Sequence, residues 1–238
     1  MNNLRNRLIL TAMIAALAFP VNSADARKRQ FPPFKVDSSC NKHSVYVFAE
    51  IHLNVNRTMD DAVLAVDFER NSKEYETSFG KFDNKRHGIV RNRMRLIREG
   101  TYEVRVNVIC ETPGPSSVCK KDSSKGPLAK ADKQLGTNQG KYIISLCPAF
   151  FEASDERVQR LSPWNDLATM QGDTFLHELA HFGWENSKLS IPRTHDWDYG
   201  AEKVAETAKY EPELAISNAD SYRIFMMKLA VRNRTIYR

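Results

Sequence analysis

Apolar and polar positions divide the chain into an early part with strands and a later part with helices. Thr101–Cys110 alternates apolar and polar residues, which predicts a half-buried strand. Tyr142–Leu146 predicts a second strand, which ends before Pro148. Apolar residues recur at helical spacing at roughly 164–183, 200–210 and 218–231. A few strands followed by helices predict an α+β fold in one domain.

The segment at 42–70 carries signals for both kinds of structure. His43–Val55 alternates as a strand would, whereas the apolar residues at 62–69 recur at helical spacing, and the helical interpretation is favoured. A further helix is predicted around Val90, Met94 and Ile97, and Gly100 is expected to end it.

The first 29 residues have the pattern of a targeting sequence. Arg5 and Arg7 precede an apolar stretch that ends at Phe19, and Ala24-Asp25-Ala26 offers a cleavage site of small residues. We therefore predict a secretory signal peptide at 1–26, a short basic prosegment at 27–29 and one folded domain at 30–238. The apolar stretch is too short to span a membrane, so we expect no membrane association after processing.

The charge of the chain gives little support for nucleic-acid binding. The formal net charge is +6. Loss of residues 1–29, which hold five basic residues and one acidic residue, lowers the charge to +2. Nucleic-acid binding needs a concentrated basic face, so no nucleic-acid partner is predicted.

Four cysteines follow the predicted signal peptide: Cys40, Cys110, Cys119 and Cys147. An even number in an exported protein predicts two disulfides, and spacing alone leaves three pairings open. Cys119 lies in the segment 111–140, whose Pro, Gly, Ser and Lys residues predict a long surface loop. A disulfide at Cys119 would anchor that loop.

The strongest chemical signal is the HExxH motif His177-Glu178-Leu179-Ala180-His181. On a helix its two histidines lie one turn apart on the same face, so both rings can bind one Zn²⁺ at about 2.0–2.1 Å. Glu178 lies beside them and can accept a proton from a water that the metal activates. The motif therefore predicts one catalytic zinc ion with Glu178 as general base.

A catalytic zinc needs a third protein ligand and an open fourth position. A metzincin has a histidine at the sixth position beyond the motif, where this chain has Ser187, so that class is excluded. A gluzincin would use a glutamate of a later helix, and Glu202 or Glu206 lies at a suitable distance along the chain. An aspartate from the following loop is the other possibility.

That loop is Thr194-His195-Asp196-Trp197-Asp198-Tyr199-Gly200. Together with HExxH, its TxDxxYG pattern resembles the aspzincin family of secreted zinc metalloendopeptidases, of the deuterolysin and peptidyl-Lys metalloendopeptidase type. Arg193 replaces a glycine of the family pattern. Further similar segments are S-F-G-K-F-D at 78–83, I-S-L-C-P-A-F-F at 144–151 and N-A-D-S-Y at 218–222. The resemblance implies a zincin-like domain, with a small early sheet and a mainly helical C-terminal half that contains the HExxH helix.

The resemblance also implies individual roles. Asp196 becomes the third zinc ligand, and Tyr199 hydrogen-bonds the tetrahedral oxyanion. The implied disulfide pairing is Cys40–Cys110 and Cys119–Cys147.

The resemblance also implies a role in substrate binding for the positions of two helical residues. In the Lys-directed members of the family, acidic residues on the helix of Asp220 line the substrate pocket, and Arg223 stands here at the second acidic position. Residues three apart on a helix are neighbours, so Arg223 is expected to pair with Asp220. We therefore predict weak or absent preference for Lys.

These patterns predict a secreted, monomeric, zinc-dependent endopeptidase that acts on proteins or peptides. Two alternatives remain open. One is a gluzincin-type peptidase with Glu202 or Glu206 as the third ligand. The other is a catalytically inactive, secreted aspzincin-like binding protein, against which the intact HExxH motif argues.

Overall fold

The computed structural model describes residues 34–102, 106–114, 117, 119, 128–133, 142–151, 167–182 and 194–233. The predicted signal peptide at 1–26 and prosegment at 27–29 lie outside these residues. The same holds for Ser187, for Arg193 and for much of the predicted loop at 111–140.

The described residues form four strands and eight helices. The strands are β1 (Phe34–Val36), β2 (Val106–Cys110), β3 (Ala129–Lys133) and β4 (Tyr142–Leu146). The helices are α1 (Lys42–Phe68), α2 (Lys73–Phe79), α3 (Asn84–Tyr102), α4 (Pro148–Phe151), α5 (Leu167–Ala180), α6 (Ala201–Tyr210), α7 (Pro212–Ala215) and α8 (Ala219–Arg232). This small sheet with mainly helical surroundings confirms the predicted α+β class.

The strands form one mixed sheet in the order β1-β2-β4-β3. Strands β1, β2 and β4 are parallel, and β3 pairs antiparallel with β4, so β3 is an edge strand. Ile144 lies at the centre of the sheet, between Val108 of β2 and Ala131 of β3. Val108 and Ile144 are fully buried, which places one face of the sheet against the core.

Two predictions about the region near Gly100 are wrong in their boundaries. Helix α3 continues past Gly100 to Tyr102, and β2 begins only at Val106. Glycine costs a helix about 1 kcal/mol relative to alanine. Burial of Val90, Met94 and Ile97 along α3 provides the tertiary packing that offsets such a cost.

Strand β3 lies within the segment that was predicted to be a loop. Its sequence, A-K-A-D-K, is short and mostly polar, so it lacks the apolar signal of a strand. Charged residues are usual on edge strands, where they discourage pairing with other chains. The strand is formed because its backbone pairs with β4, which sequence patterning does not reveal.

Helix α1 confirms the helical interpretation of residues 42–70. The Asn41 side chain caps its first turn by accepting a hydrogen bond from the Ser44 N–H at 2.9 Å. Phe48, Ile51 and Val55 lie at helical spacing and are buried. The strand-like alternation in this segment therefore reflects an amphipathic helix.

Helices α5 and α8 pack against each other and against α1 in the centre of the helical layer. The ring of Phe175 in α5 meets that of Phe48 edge-on at 5.1 Å. In α8, Tyr222 and Phe225 pack on Phe79 at 4.9 and 5.3 Å. The two helices are thus held in fixed positions by aromatic contacts that are buried in the core.

Two disulfides tie the sheet to its connections. Cys40 is joined to Cys110, and Cys119 is joined to Cys147, which is the pairing that the resemblance implies. The first bond links the start of α1 to the end of β2. Among the described residues, no helix is sufficiently long and apolar to cross a membrane.

The two disulfides differ in the length of chain that they close, 70 residues for Cys40–Cys110 and 28 for Cys119–Cys147. Loop-closure entropy then predicts stabilisation of about 4.4 and about 3.6 kcal/mol. Replacing Cys40 and Cys110 with serine should therefore lower the free energy of unfolding more than the same change at Cys119 and Cys147. Urea unfolding of both variants measures this, and the reverse order would contradict it.

Candidate metal centre

Helix α5 carries the first four residues of the HExxH motif and ends at Ala180. His181 lies in the turn that follows, and its N–H donates to the Glu178 carbonyl at 3.2 Å. The predicted helix is therefore too long at its C-terminal end. The Ala180 carbonyl instead accepts the Thr194 hydroxyl at 2.6 Å, which fastens the following loop to the helix end.

Three ligand atoms converge at this point. The Nε2 atoms of His177 and His181 are 3.1 Å apart, and they lie 3.1 and 3.0 Å from Oδ1 of Asp196. Ligands about 2.0–2.1 Å from a tetrahedral zinc ion lie roughly 3.3–3.4 Å from one another. Two imidazoles and a carboxylate at this spacing are a suitable donor set for zinc.

The site is closed towards the core and open towards solvent. The side chains of His177 and His181 are 11% and 15% exposed, whereas that of Asp196 is 38% exposed. A structural zinc site has four protein ligands, while a catalytic site leaves one position for water or substrate. Three converging ligands with one solvent-facing side have the second arrangement.

The loop that carries Asp196 is held by the start of α8. His195 forms a β-bridge with Asn218, in which the His195 N–H donates to the Ser217 carbonyl at 2.8 Å. The buried Asn218 side chain accepts from the Trp197 N–H at 3.3 Å and donates to the Asp198 carbonyl at 3.1 Å. Sequence reasoning missed this role of Asn218, although the residue belongs to the N-A-D-S-Y segment.

Asp220 is fully buried and contacts both parts of the site. One carboxylate oxygen lies 2.9 Å from Nδ1 of His177, and the other accepts the Gly200 N–H at 2.6 Å. Gly200 has φ +85°, a conformation that side chains other than glycine rarely adopt. A carboxylate at Nδ1 favours the histidine tautomer whose Nε2 lone pair faces the converging ligands.

Arg223 pairs with Asp220, as its position three residues further along the helix predicted. Its Nε and Nη2 donate to the two carboxylate oxygens at 2.5 and 2.7 Å, and its Nη1 donates to Asp173. Arg223 and Asp220 are 6% and 0% exposed. Both side chains are buried between α5 and α8, where Asp220 contacts Arg223 and His177. Their role in substrate binding stays a prediction.

Glu178 is buried beside the two histidines. Its Oε2 accepts the N–H of Ala131, in edge strand β3, at 2.6 Å. Burial raises the pKa of Glu178, although the neighbouring histidines and this hydrogen bond oppose the shift. A carboxylate with a raised pKa is a stronger base than one in water.

The pKa values of His177 and Asp196 are shifted by their neighbours. Burial alone lowers the pKa of His177, but hydrogen bonds with Asp196 and Asp220 more than offset this and raise it to about 9. Burial alone raises the pKa of Asp196, but hydrogen bonds with His177 and His181 lower it well below its usual range. Asp196 is therefore a carboxylate at neutral pH, as a zinc ligand must be.

Tyr199 lies over the site. Its ring stacks on that of His177 with centroids 5.6 Å apart, and its hydroxyl hydrogen-bonds Asp196. The residue is 54% exposed. Burial of the hydroxyl and its bond to Asp196 raise the pKa of Tyr199, so the phenol remains a hydrogen-bond donor.

The alternative ligands of a gluzincin site are not part of this group. Glu202 and Glu206 are exposed on α6, and Glu206 pairs with Lys203 at 3.1 Å. Among the residues that the structure describes, the only group of three side chains suited to a metal is His177, His181 and Asp196. The geometry therefore favours the loop aspartate over the helix glutamates.

Comparisons with known proteins agree with this geometry. Residues 65–227 match the family model Aspzincin, described as lysine-specific metallo-endopeptidase. A zinc peptidase from Grifola frondosa has the same fold, with a TM-score of 0.57 and 17% identity over 81% of this chain and 98% of that chain. A search of curated proteins found no match. The chain is a metalloendopeptidase and belongs to the aspzincin family.

Proposed function

We propose that this metalloendopeptidase binds one zinc ion through His177, His181 and Asp196 and hydrolyses peptide bonds with Glu178 as general base. The observation that carries the proposal is the convergence of the three ligand atoms at 3.0–3.1 Å from one another. The solvent-facing side of this group leaves room for a substrate carbonyl and a water.

Zinc supplies Lewis-acid chemistry: it stabilises negative charge on oxygen and lowers the pKa of water. Glu178 accepts the proton of the attacking water and later delivers it to the leaving amine. Its position beside both histidines and its hydrogen bond from Ala131 hold the carboxylate in one orientation. Its raised pKa suits a group that must both take up and release a proton.

Tyr199 donates a hydrogen bond to the oxygen of the substrate carbonyl as negative charge develops there. This role is supported by its position over His177, by its partial exposure and by a phenol that stays protonated. An oriented donor of this kind is worth about 2.7–4 kcal/mol of transition-state stabilisation.

The test is zinc analysis and casein hydrolysis on the full chain. Asp196→Ala should lose zinc, whereas Glu206→Ala, its matched acidic control, should keep wild-type zinc content and activity. Zinc retained by Asp196→Ala but lost by a glutamate variant on α6 would replace this assignment with a gluzincin-type site.

The catalytic roles are separated from metal binding in the same assay. Glu178→Gln and Tyr199→Phe should retain zinc, because neither side chain is proposed as a ligand. Glu178→Gln should abolish hydrolysis, and Tyr199→Phe should lower kcat by roughly 10²–10³-fold. A wild-type protein that binds zinc but cleaves no substrate would support the inactive binding protein instead.

We further propose that this chain does not restrict cleavage to bonds before lysine. Both oxygens of Asp220 accept hydrogen bonds from Arg223, and the carboxylate is fully buried. The guanidinium already neutralises the acid that a substrate lysine would require. This proposal separates the chain from the lysine specificity in the family model's description.

A peptide pair that differs only in the residue after the scissile bond tests this. The values of kcat/KM for the lysine peptide and the methionine peptide should differ by less than about tenfold. A substrate lysine that paired with a free carboxylate would gain about 1.4 kcal/mol or more, which corresponds to a difference of about tenfold or more. Cleavage of the lysine peptide alone would contradict the proposal.

Secretion is proposed on two grounds. Residues 1–26 have the basic, apolar and small-residue order of a signal peptide, and the disulfides suit an oxidising compartment. N-terminal sequencing of the secreted protein should give Gln30 as the first residue. A start at Arg27 would show that the basic segment at 27–29 is not removed.

A further inference from the structure

We infer that Arg223, together with Asp173, is a positioning residue that holds the zinc ligands in place through Asp220. The inference rests on the proposed function, because it assumes that His177 and Asp196 bind zinc. The three residues Asp173, Asp220 and Arg223 are all buried, with 4%, 0% and 6% of their surface exposed.

Each oxygen of the Asp220 carboxylate has two polar partners. Oδ1 lies 2.9 Å from Nδ1 of His177 and accepts from Nε of Arg223 at 2.5 Å. Oδ2 accepts from the Gly200 N–H at 2.6 Å and from Nη2 of Arg223 at 2.7 Å. Each oxygen thus has one contact to the site and one to Arg223, and the planar guanidinium fixes the carboxylate plane.

Arg223 also contacts a residue of α5. Its Nη1 donates to Asp173, which lies on α5 one helical turn before His177. The contacts run from His177 through Asp220 and Arg223 to Asp173, and the backbone of α5 closes them into a ring. The ring therefore fixes the distance between α5, which carries His177, and α8, which supports it.

The loop that carries the third ligand is bonded to the same ring of residues. Gly200 is the last residue of this loop, and its N–H donates a hydrogen bond to the same carboxylate. Any rotation of Asp220 would therefore move His177 and the end of the Asp196 loop together. Arg223 is the group that prevents such a rotation.

The charges support the same conclusion. The Asp220 carboxylate lies at the outer nitrogen of His177, and a carboxylate in that position strengthens a histidine as a metal ligand. Lysine cannot reproduce this arrangement, because it presents one ammonium where arginine reaches three carboxylate oxygens in a fixed plane.

The experiment uses the full-length chain with Arg223→Met and Arg223→Lys. Arg232→Met is the matched control, because Arg232 is another α8 arginine with ion pairs, to Glu69 and Glu74, and is 34% exposed. Competition with a zinc chelator gives the zinc dissociation constant. Kinetics at saturating zinc give kcat and KM separately, and circular dichroism of the zinc-free chain reports folding.

Arg223→Met should raise the zinc dissociation constant by about 10–100-fold. In saturating zinc its kcat should fall while KM stays within about twofold, because the residue does not touch substrate. The zinc dissociation constant and kcat of Arg223→Lys should lie between those of Arg223→Met and wild type. Those of Arg232→Met should match wild type. This graded response separates positioning from a general loss of stability.

Removal of a buried arginine can also unfold the chain, since it leaves Asp173 and Asp220 without their partner. The double variant Asp173→Asn/Arg223→Met removes one negative and one positive charge together and leaves Asp220 with its contacts to His177 and Gly200, so it should fold, yet still bind zinc weakly. Wild-type zinc affinity in this variant or in Arg223→Lys would overturn the inference. If the wild-type chain binds no zinc, the proposed function itself fails, and the inference fails with it.

Discussion

Two imidazole nitrogens and one carboxylate oxygen meet at about 3 Å in this fold, which is close to the spacing of ligands around one bound cation, and hydrogen bonds to Asp196 hold the same approach within the chain itself. His177 and His181 supply two imidazole nitrogens, and Asp196 supplies a carboxylate oxygen. Most of the remaining architecture of the site serves to maintain this approach. Helix α5 and the turn after it set the two rings, and a loop fastened at both ends sets the carboxylate.

The supports are themselves charged and buried, which is costly in a protein interior. Desolvation raises the pKa of Asp173 and opposes the ionisation of Asp220. Hydrogen bonds with His177 and with Arg223 offset this for Asp220, whose pKa is lowered overall. Oδ2 of Asp173 pairs with Arg223, while its Oδ1 is buried and has no hydrogen-bond partner among the described residues. Loss of any member of such a network would leave more buried charge unpaired, so its geometry is held more rigidly than that of an isolated contact.

Rigid elements also hold the proposed base. Glu178 lies on the central helix, and its carboxylate is fastened to the N–H of Ala131 on the edge strand. The antiparallel pairing of β3 with β4 thus has a role in the site as well as in the sheet. A site mounted on a helix and a strand keeps its geometry better than one built on loops alone.

The local part of this arrangement could be predicted from the sequence. The HExxH spacing brings two histidines together through helical periodicity, which depends on no other part of the chain. Asp196 and Tyr199 required a motif resemblance, because a loop has no periodicity from which its direction could be derived. The pairing of Arg223 with Asp220 followed from their spacing, but their burial did not, since it depends on how α8 packs against α5.

The same limit explains the errors in the fold. Strand β3 was missed because its pairing with β4 is non-local, and the end of α3 was misplaced because packing overrode the signal of Gly100. The signal peptide, the prosegment, the monomeric state and the absence of a nucleic-acid partner remain predictions. Each concerns residues or partners beyond the packed core.

Anomalous diffraction at the zinc absorption edge, from crystals of the secreted protein grown with zinc, would locate the metal. We expect one strong peak within about 2.0–2.2 Å of Nε2 of His177, Nε2 of His181 and a carboxylate oxygen of Asp196. A peak bound by the two histidines and a glutamate of α6, or no peak between the two rings, would contradict this expectation.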